Sequence, residues 1–179
     1  IFLNSNNPKM KKFDLNIEKI LENWEMKHAI REIIANALDE QKLSKSREIE
    51  ITKAPEGSWH IRDFGRGLRY EHFTQKENDE KLSTEGIIGK FGIGLKDALA
   101  TIERKGANAQ IISRFGDIFL GKSSKAGFED LVTLHAYIGE PSSPNFEGTD
   151  FILTNVSDYD ITEAKKLFLE SAELEKNPI

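Results

Sequence analysis

Apolar residues recur at helical spacing over residues 25–43, the clearest periodic segment of the chain. This apolar stripe consists of Ile30, Ile33, Ile34, Ala37 and Leu38. Positions three and four residues apart lie on one side of an α-helix, so the segment predicts an amphipathic helix that packs one face on a core.

Three further segments have helical patterns. Asn16 is a candidate N-cap for a short helix over residues 16–24. A second helix is expected over residues 95–105, where Gly106 ends it, and a third over residues 160–175. Residues 1–12 are polar and rich in asparagine, so we expect loosely ordered chain there.

Alternation of apolar and polar positions predicts strands elsewhere. Residues 47–53 alternate, and a turn at Gly57 leads to a return strand over residues 58–62. Later strands are expected over residues 108–115, 117–122, 131–138 and 149–155. Helices near the start and adjacent strands later favour an α+β fold, a two-layer α/β sandwich, although the pattern does not give the strand order. Since no internal repeat or linker interrupts the chain, residues 1–179 are expected to form a single domain.

The composition narrows the class of protein. Hydrophobic residues make up 38% of the chain and charged residues 31%, and cysteine is absent, which excludes disulfides and thiolate metal sites. Neither a membrane-length apolar run nor a secretion signal is found, so we expect a cytoplasmic protein, or a fragment of one, without membrane association. The net charge of −5 does not indicate a general nucleic-acid-binding surface.

The predicted long helix carries a polar group of residues besides its apolar stripe. Glu32, Asn36 and Asp39 are spaced by four and three residues and therefore share a face. A carboxylate can orient and deprotonate an attacking water, and a carboxamide oxygen is a suitable ligand for Mg²⁺. Taken alone, such residues are more often solvated positions on a surface helix.

Two glycine-containing turns are candidate ligand contacts. Asp63 ends a predicted strand, and Gly65 and Gly67 let the backbone approach a ligand closely, which suits recognition of an exocyclic amine. A second glycine-rich segment, residues 86–96, leads into a helix and could present backbone N–H groups and lysines to a phosphate. It is neither a Walker motif nor a dinucleotide fingerprint. Taken alone, the first segment is more often a tight turn.

A fourth segment, at Gly148 and Thr149, begins a late strand. The Thr149 hydroxyl could reach a base directly or through water. In this order the four segments resemble the ATP-binding motifs of the GHKL superfamily, which includes gyrase B subunits, heat-shock chaperones, sensor histidine kinases and mismatch-repair proteins. The resemblance covers about residues 23–155. It implies the Bergerat fold, a mixed and largely antiparallel sheet with helices on one face, and it implies ATP or ADP and Mg²⁺ as ligands.

The resemblance also implies roles for individual residues. Glu32 resembles the general base, Asn36 the Mg²⁺ ligand, and Asp63, with Thr149, the group that reads the adenine amine. Gly65, Gly67 and Leu68 would shape the base pocket, and Glu40 and Arg66 resemble a pair beside the base. Gly89, Gly92 and Gly94 would bring backbone to the phosphates, with Lys90 and Lys96 adding charge nearby. The other expected nucleotide-binding residues are Asp39, Phe91, Ile93 and Leu95.

The motifs look closest to chaperone-type and MORC-type ATPases. The resemblance therefore implies Mg-dependent ATP hydrolysis with closure of a lid over residues 71–88, which are polar and poor in apolar residues. Gyrase-like members have a second domain whose lysine reaches the γ-phosphate, and the present sequence ends before such a domain. Two alternatives stay open: a nucleotide-dependent interaction module with little turnover, acting on an unknown protein partner or as an ATP-dependent homodimer, and the ATP-binding domain of a histidine-type kinase.

Overall fold

The computed structural model describes residues 10–15, 23–69, 93–125 and 127–176. Within these residues it has three helices: α1 (Met26–Ser44), α2 (Ile93–Arg104) and α3 (Asp158–Lys176). It also has seven strands, which are β1 (Lys11–Asp14), β2 (Glu50–Lys53), β3 (Trp59–Asp63), β4 (Asn108–Ser113), β5 (Gly116–Lys125), β6 (Phe128–Gly139) and β7 (Thr149–Thr154).

The strands form one sheet in the order β1-β6-β5-β4-β7-β3-β2, and each neighbouring pair is antiparallel. Helix α1 packs on α2, α3 and strand β3, and α2 also contacts β4. The apolar stripe of α1 is buried in one cluster with the inward residues of the sheet, including Ile61, Ile111 and Phe151. The expected α+β two-layer sandwich is confirmed.

Local signals explain where α1 begins and ends. The backbone N–H of Glu25 donates to Nδ1 of His28 at 2.9 Å, and the two residues form a reciprocal capping box. The helix ends at Ser44, and Lys45, which follows it as the C-cap, adopts a left-handed conformation with φ of 54°. His28 is therefore part of the helix cap.

Two sequence expectations near the N-terminus are wrong where the structure describes them. Lys11–Asp14 form an edge strand rather than loosely ordered chain, because Leu15 is fully buried beside it and donates its backbone N–H to the Leu134 carbonyl. Trp24, expected at the end of a helix over residues 16–24, lies outside any helix, and residues 16–22 are outside the described residues.

The hairpin of β5 and β6 is longer than its sequence pattern predicts. Strand β5 continues to Lys125, and β6 begins at Phe128. The register shifts at Ser124/Lys125, where serines and lysines interrupt the apolar alternation. The expected lid over residues 71–88 lies outside the described residues and stays a prediction. No helix in the described part of the chain is long and apolar enough to cross a membrane.

Candidate nucleotide site

A row of polar side chains crosses three strands at one end of the sheet. Asp63 at the end of β3 pairs in register with Thr149 at the start of β7, and Thr149 pairs with Ser113 at the end of β4. Residues opposite one another in an antiparallel sheet project from the same face. All three residues are buried, and the next row on this face, Ile61, Phe151 and Ile111, belongs to the core under the helices. The row is therefore the polar margin of the core.

The Asp63 carboxylate is held by backbone donors. The N–H groups of Gly65 and Thr149 both donate to Oδ1, at 2.9 and 3.2 Å. Burial raises the pKa of Asp63 to about 7, and the neighbouring Glu40 carboxylate raises it too, while these hydrogen bonds and Arg62 lower it. Desolvation has the largest effect on this pKa. The charged form of Asp63 therefore destabilises the folded protein.

The loop that follows Asp63 is fixed to the same row of residues. Leu68 donates its backbone N–H to Oγ1 of Thr149 at 2.9 Å and accepts a hydrogen bond from the Ser113 hydroxyl at 2.8 Å. Ser113 also accepts from the N–H of Phe115 at 3.1 Å. The polar row therefore determines where the loop runs.

Glu40 and Arg66 form the ion pair that the family resemblance implies. Arg66 Nε and NH2 donate to the two oxygens of the Glu40 carboxylate at 2.9 and 3.1 Å, and the Arg66 N–H adds a third bond at 2.9 Å. A Cβ at Gly65 would lie 2.5 Å from Cγ of Glu40, so only glycine leaves room for this carboxylate. The contact ties the C-terminal half of α1 to the loop.

Gly148 lets two strand ends meet. It has a φ of +77°, and a Cβ there would lie 2.6 Å from the Asp63 carbonyl carbon and 2.7 Å from Cα of Phe64. Because these are backbone atoms, no side-chain adjustment could relieve the overlap. Gly148 thus permits the register in which Thr149 faces Asp63.

The polar residues of α1 differ in their surroundings. Asn36 and Asp39 are buried, so the interpretation of this face as solvated surface is wrong for both. The Glu32 side chain is 21% exposed and accepts a hydrogen bond from Arg31 at 3.1 Å. It also lies against Gly94 of α2. A Cβ at residue 94 would occupy the place of the Glu32 carboxylate, so Gly94 makes this approach possible.

The structure covers only part of the predicted phosphate segment. Gly89, Lys90, Phe91 and Gly92 lie outside the described residues, and Ile93 begins α2. Leu95 is buried in the core, whereas Lys96 is partly exposed on the first turn of the helix. Because Gly94 contacts Glu32, the beginning of α2 lies beside Glu32.

Sequence reasoning missed Ser113. It precedes the turn between β4 and β5, but no motif marks it, and its role depends on hydrogen bonds to residues far away in the chain. Only the pairing of β4 with β7 brings it beside Thr149.

No protein-family model matches the chain. The chain is similar to an uncharacterized protein of Mycoplasma pneumoniae (strain ATCC 29342 / M129 / Subtype 1), with 40% identity over 165 residues. The alignment covers 90% of this chain and 66% of the Mycoplasma protein, so the chain spans less than two thirds of that relative's length.

Replacing Gly148 by alanine should destabilise the protein strongly. Gly57 provides a matched control because it also has a positive φ, +103°, but a Cβ there would meet nothing within 4 Å. Gly57→Ala should lower the free energy of unfolding only by the backbone strain, about 1–3 kcal/mol. Gly148→Ala should cost more than about 4 kcal/mol because it also separates two backbones. Urea denaturation of both variants measures the difference, and equal losses would contradict the close contact at Gly148.

Replacing Asp63 by asparagine should stabilise the ligand-free protein at pH 8. With a pKa of 3.8 unfolded and about 7 folded, the neutral acid is favoured in the folded state. The stability associated with Asp63 is thus full below pH 4 and is lost as the pH rises through 7. Asparagine keeps an oxygen for both backbone donors and carries no charge. The free energy of unfolding of Asp63→Asn should exceed that of the parent protein by an amount on the order of a few kcal/mol at pH 8. This difference should shrink at pH 5.

This pH dependence is measured by urea denaturation of both proteins at pH 5 and pH 8. Asp158→Asn is the control, since that exposed carboxylate has a pKa lowered by its hydrogen bonds to Lys53 and Trp59. The same difference between Asp63→Asn and the parent at both pH values would show that the burial of charge has been misjudged.

Proposed function

We propose that this protein binds ATP with Mg²⁺ and hydrolyses it, as a domain of the GHKL type with the Bergerat fold. The observation that carries the proposal is the buried Asp63 carboxylate, whose two backbone hydrogen bonds both fall on Oδ1. The second oxygen is left to accept from a ligand donor such as the exocyclic amine of adenine. A buried carboxylate with a raised pKa is costly for stability, which supports a binding role.

The surroundings of Asp63 support a site for a flat, hydrogen-bonding base. Thr149 lies opposite Asp63, and its hydroxyl can serve a base directly or through water. Gly65, Gly67 and Leu68 form a loop whose backbone is held by the polar row, so the pocket wall is preorganised. The ion pair of Glu40 and Arg66 would flank the base.

In the middle of α1, Asn36 fits the expected Mg²⁺ ligand. Its carboxamide is buried one helical turn from Glu32 and offers a neutral oxygen. The described residues contain no group of three or more His, Asp or Glu side chains that could hold a metal. This suits an ion that keeps several waters and takes its other ligands from phosphate oxygens. Bound there, Mg²⁺ would neutralise charge on the phosphates.

The proposed reaction is transfer of the γ-phosphoryl group to water. An oxygen–phosphorus bond forms between water and the γ-phosphorus, the bond to the β–γ bridging oxygen breaks, and ADP leaves. Glu32 would orient the water and take its proton. Backbone N–H groups of residues 89–94, with Lys90 or Lys96, would stabilise the developing charge.

A second candidate function is a nucleotide-dependent interaction module with little turnover. One observation favours it over rapid hydrolysis. Arg31 donates a hydrogen bond to the Glu32 carboxylate at 3.1 Å, so the residue that would orient the attacking water is already engaged within the chain. In this case ATP would control contact with a protein partner or a second copy of the chain.

Asp63→Asn should weaken binding of ATP and ADP at pH 8 by roughly tenfold or more, since a charge-assisted hydrogen bond contributes about 1.5–3 kcal/mol. The same substitution should stabilise the free protein, so lost binding cannot be attributed to unfolding. Calorimetric titration with each nucleotide and Mg²⁺ measures the affinity, with Asp158→Asn as the control. Unchanged affinity of Asp63→Asn would exclude Asp63 from the base pocket.

Glu32 and Asn36 should separate turnover from binding. Glu32→Gln and Glu32→Ala should leave ATP affinity nearly intact and reduce phosphate release by roughly 10²–10⁴-fold. Asn36→Ala should weaken Mg-dependent binding instead. Glu25→Gln is the control, because the Glu25 side chain is 64% exposed at the start of the helix that carries Glu32 and Asn36.

Parent rates in the variants of both Glu32 and Asn36 would refute the hydrolytic role. A parent protein that binds ATP tightly but releases phosphate as slowly as Glu32→Gln would instead favour the interaction module.

A further inference from the structure

A cavity lies beside the polar row, on the same face of the sheet. Its volume is about 290 Å³, and neither Asp63, Asn36 nor Glu32 lines it. The row of core residues through Ile61 and Ile111 continues across the sheet to Ile118, Ile138 and Lys11. The last three of these residues line the cavity, and Leu68 forms its wall on the side of the loop that follows Asp63.

The lining combines an apolar floor with a charged rim. Ile118, Ile138 and Phe115 supply the apolar surface, and Lys11, Arg69 and Glu140 supply the charges. The Arg69 guanidinium lies over the Phe115 ring, 4.0 Å from its centroid, which holds the cation beside the apolar surface. Lys11, Arg69 and Glu140 also take part in interactions within the chain, so a ligand would share these side chains with their present partners.

The balance of charges selects the class of ligand. Two cations against one carboxylate favour an anion, and Glu140 disfavours a second negative charge on it. A volume of about 290 Å³, near the small end of the range for ligand pockets, suits a small molecule. A carboxylate attached to a short apolar chain or ring satisfies the charge, the apolar floor and the volume.

The cavity and the polar row share parts of their walls. Leu68 lines the cavity, and its backbone donates a hydrogen bond to Thr149 and accepts one from Ser113. A Cβ at Gly67 would lie 3.4 Å from the ring of Phe115, so that ring packs against the loop. A ligand that displaces the Leu68 backbone would therefore shift the hydrogen bond between Leu68 and Thr149.

We propose that this cavity binds a small amphipathic monocarboxylate and that its occupation changes the affinity for nucleotide through Leu68. The binding site stands on its own, whereas the coupling rests on the nucleotide site proposed above. The carboxylate would lie between Lys11 and Arg69, with the apolar part on Ile118 and Ile138. Such a ligand would make the protein responsive to a small organic acid.

The first experiment titrates the full chain with butyrate, hexanoate and octanoate, followed by NMR of isoleucine δ1-methyl groups. The methyls of Ile118 and Ile138 should shift, and those of Ile102 and Ile161, which do not line the cavity, should not. Affinity should rise by roughly fourfold for each added methylene until the cavity is full. Hexylamine, with the opposite charge, should bind at least tenfold more weakly than hexanoate. Absence of shifts at Ile118 and Ile138, or equal binding of hexylamine, would overturn the site.

Matched substitutions test the charged rim. Arg69→Gln and Lys11→Gln should each weaken hexanoate binding by roughly threefold, since both side chains are partly solvated. Arg114→Gln and Lys12→Gln are the controls. Arg114 stacks on the same Phe115 ring and Lys12 donates to Ser123, yet neither lines the cavity. Equal weakening by the control substitutions would assign the effect to general charge and reject the rim.

The coupling is tested by titrating ADP with and without saturating hexanoate. The affinity for ADP should change at least twofold, and ADP should change the affinity for hexanoate by the same factor, because coupling between binding sites is reciprocal. Unchanged ADP affinity in a protein that binds both ligands would refute the coupling. If ADP does not bind while hexanoate binds at Ile118 and Ile138, the proposed nucleotide function fails and the carboxylate site stands.

Discussion

The Asp63 carboxylate is a charged group in a place that water hardly reaches, and much of the surrounding structure compensates for this. Two backbone N–H groups hold one oxygen, one from the loop that follows Asp63 and one from the start of β7. These donors are in place only because Gly148 lets the ends of β3 and β7 meet and because Gly65 leaves room for Glu40. Residues separated by more than a hundred positions in sequence are therefore fixed around one side chain. A fold that needed only stability would place an apolar residue here.

The parts of the fold that follow from local pattern could be predicted, and those that follow from distant pairing could not. Helix α1 was predicted within one residue at each end, because the stripe through Ile30, Ile33 and Ala37 has an unbroken helical period. Strand β1 was missed because Lys11–Asp14 contain a single apolar residue, and the strand depends on pairing with β6. The strand order, which brings β7 between β3 and β4, has no local signal at all.

The candidate site shows the same division. Asp63 and Thr149 were predicted together through a family resemblance, and the strand register places them opposite each other. The pairing of Glu40 with Arg66 could be predicted as well, since the same resemblance implies a pair at these two positions. The support that Ser113 gives to Leu68 could not, because a serine before a turn is common and its bond spans 45 positions. The burial of Asn36 and Asp39 could not be predicted either, because periodicity on α1 does not reveal which polar positions tertiary packing covers.

Helix α1 also constrains how the length of this chain can vary. Glu32, Asn36 and Glu40 are on one rigid element, and the eight residue steps from Glu32 to Glu40 span about 12 Å along its axis. One inserted or deleted residue between them would rotate one end of the set by about 100° and shift it by about 1.5 Å relative to the other. Gly94 would then no longer face Glu32, or Gly65 would no longer face Glu40. In chains that keep this site the interval from position 32 to position 40 should therefore have a fixed length, while gaps collect at the tip of the β5–β6 hairpin, where the register already shifts.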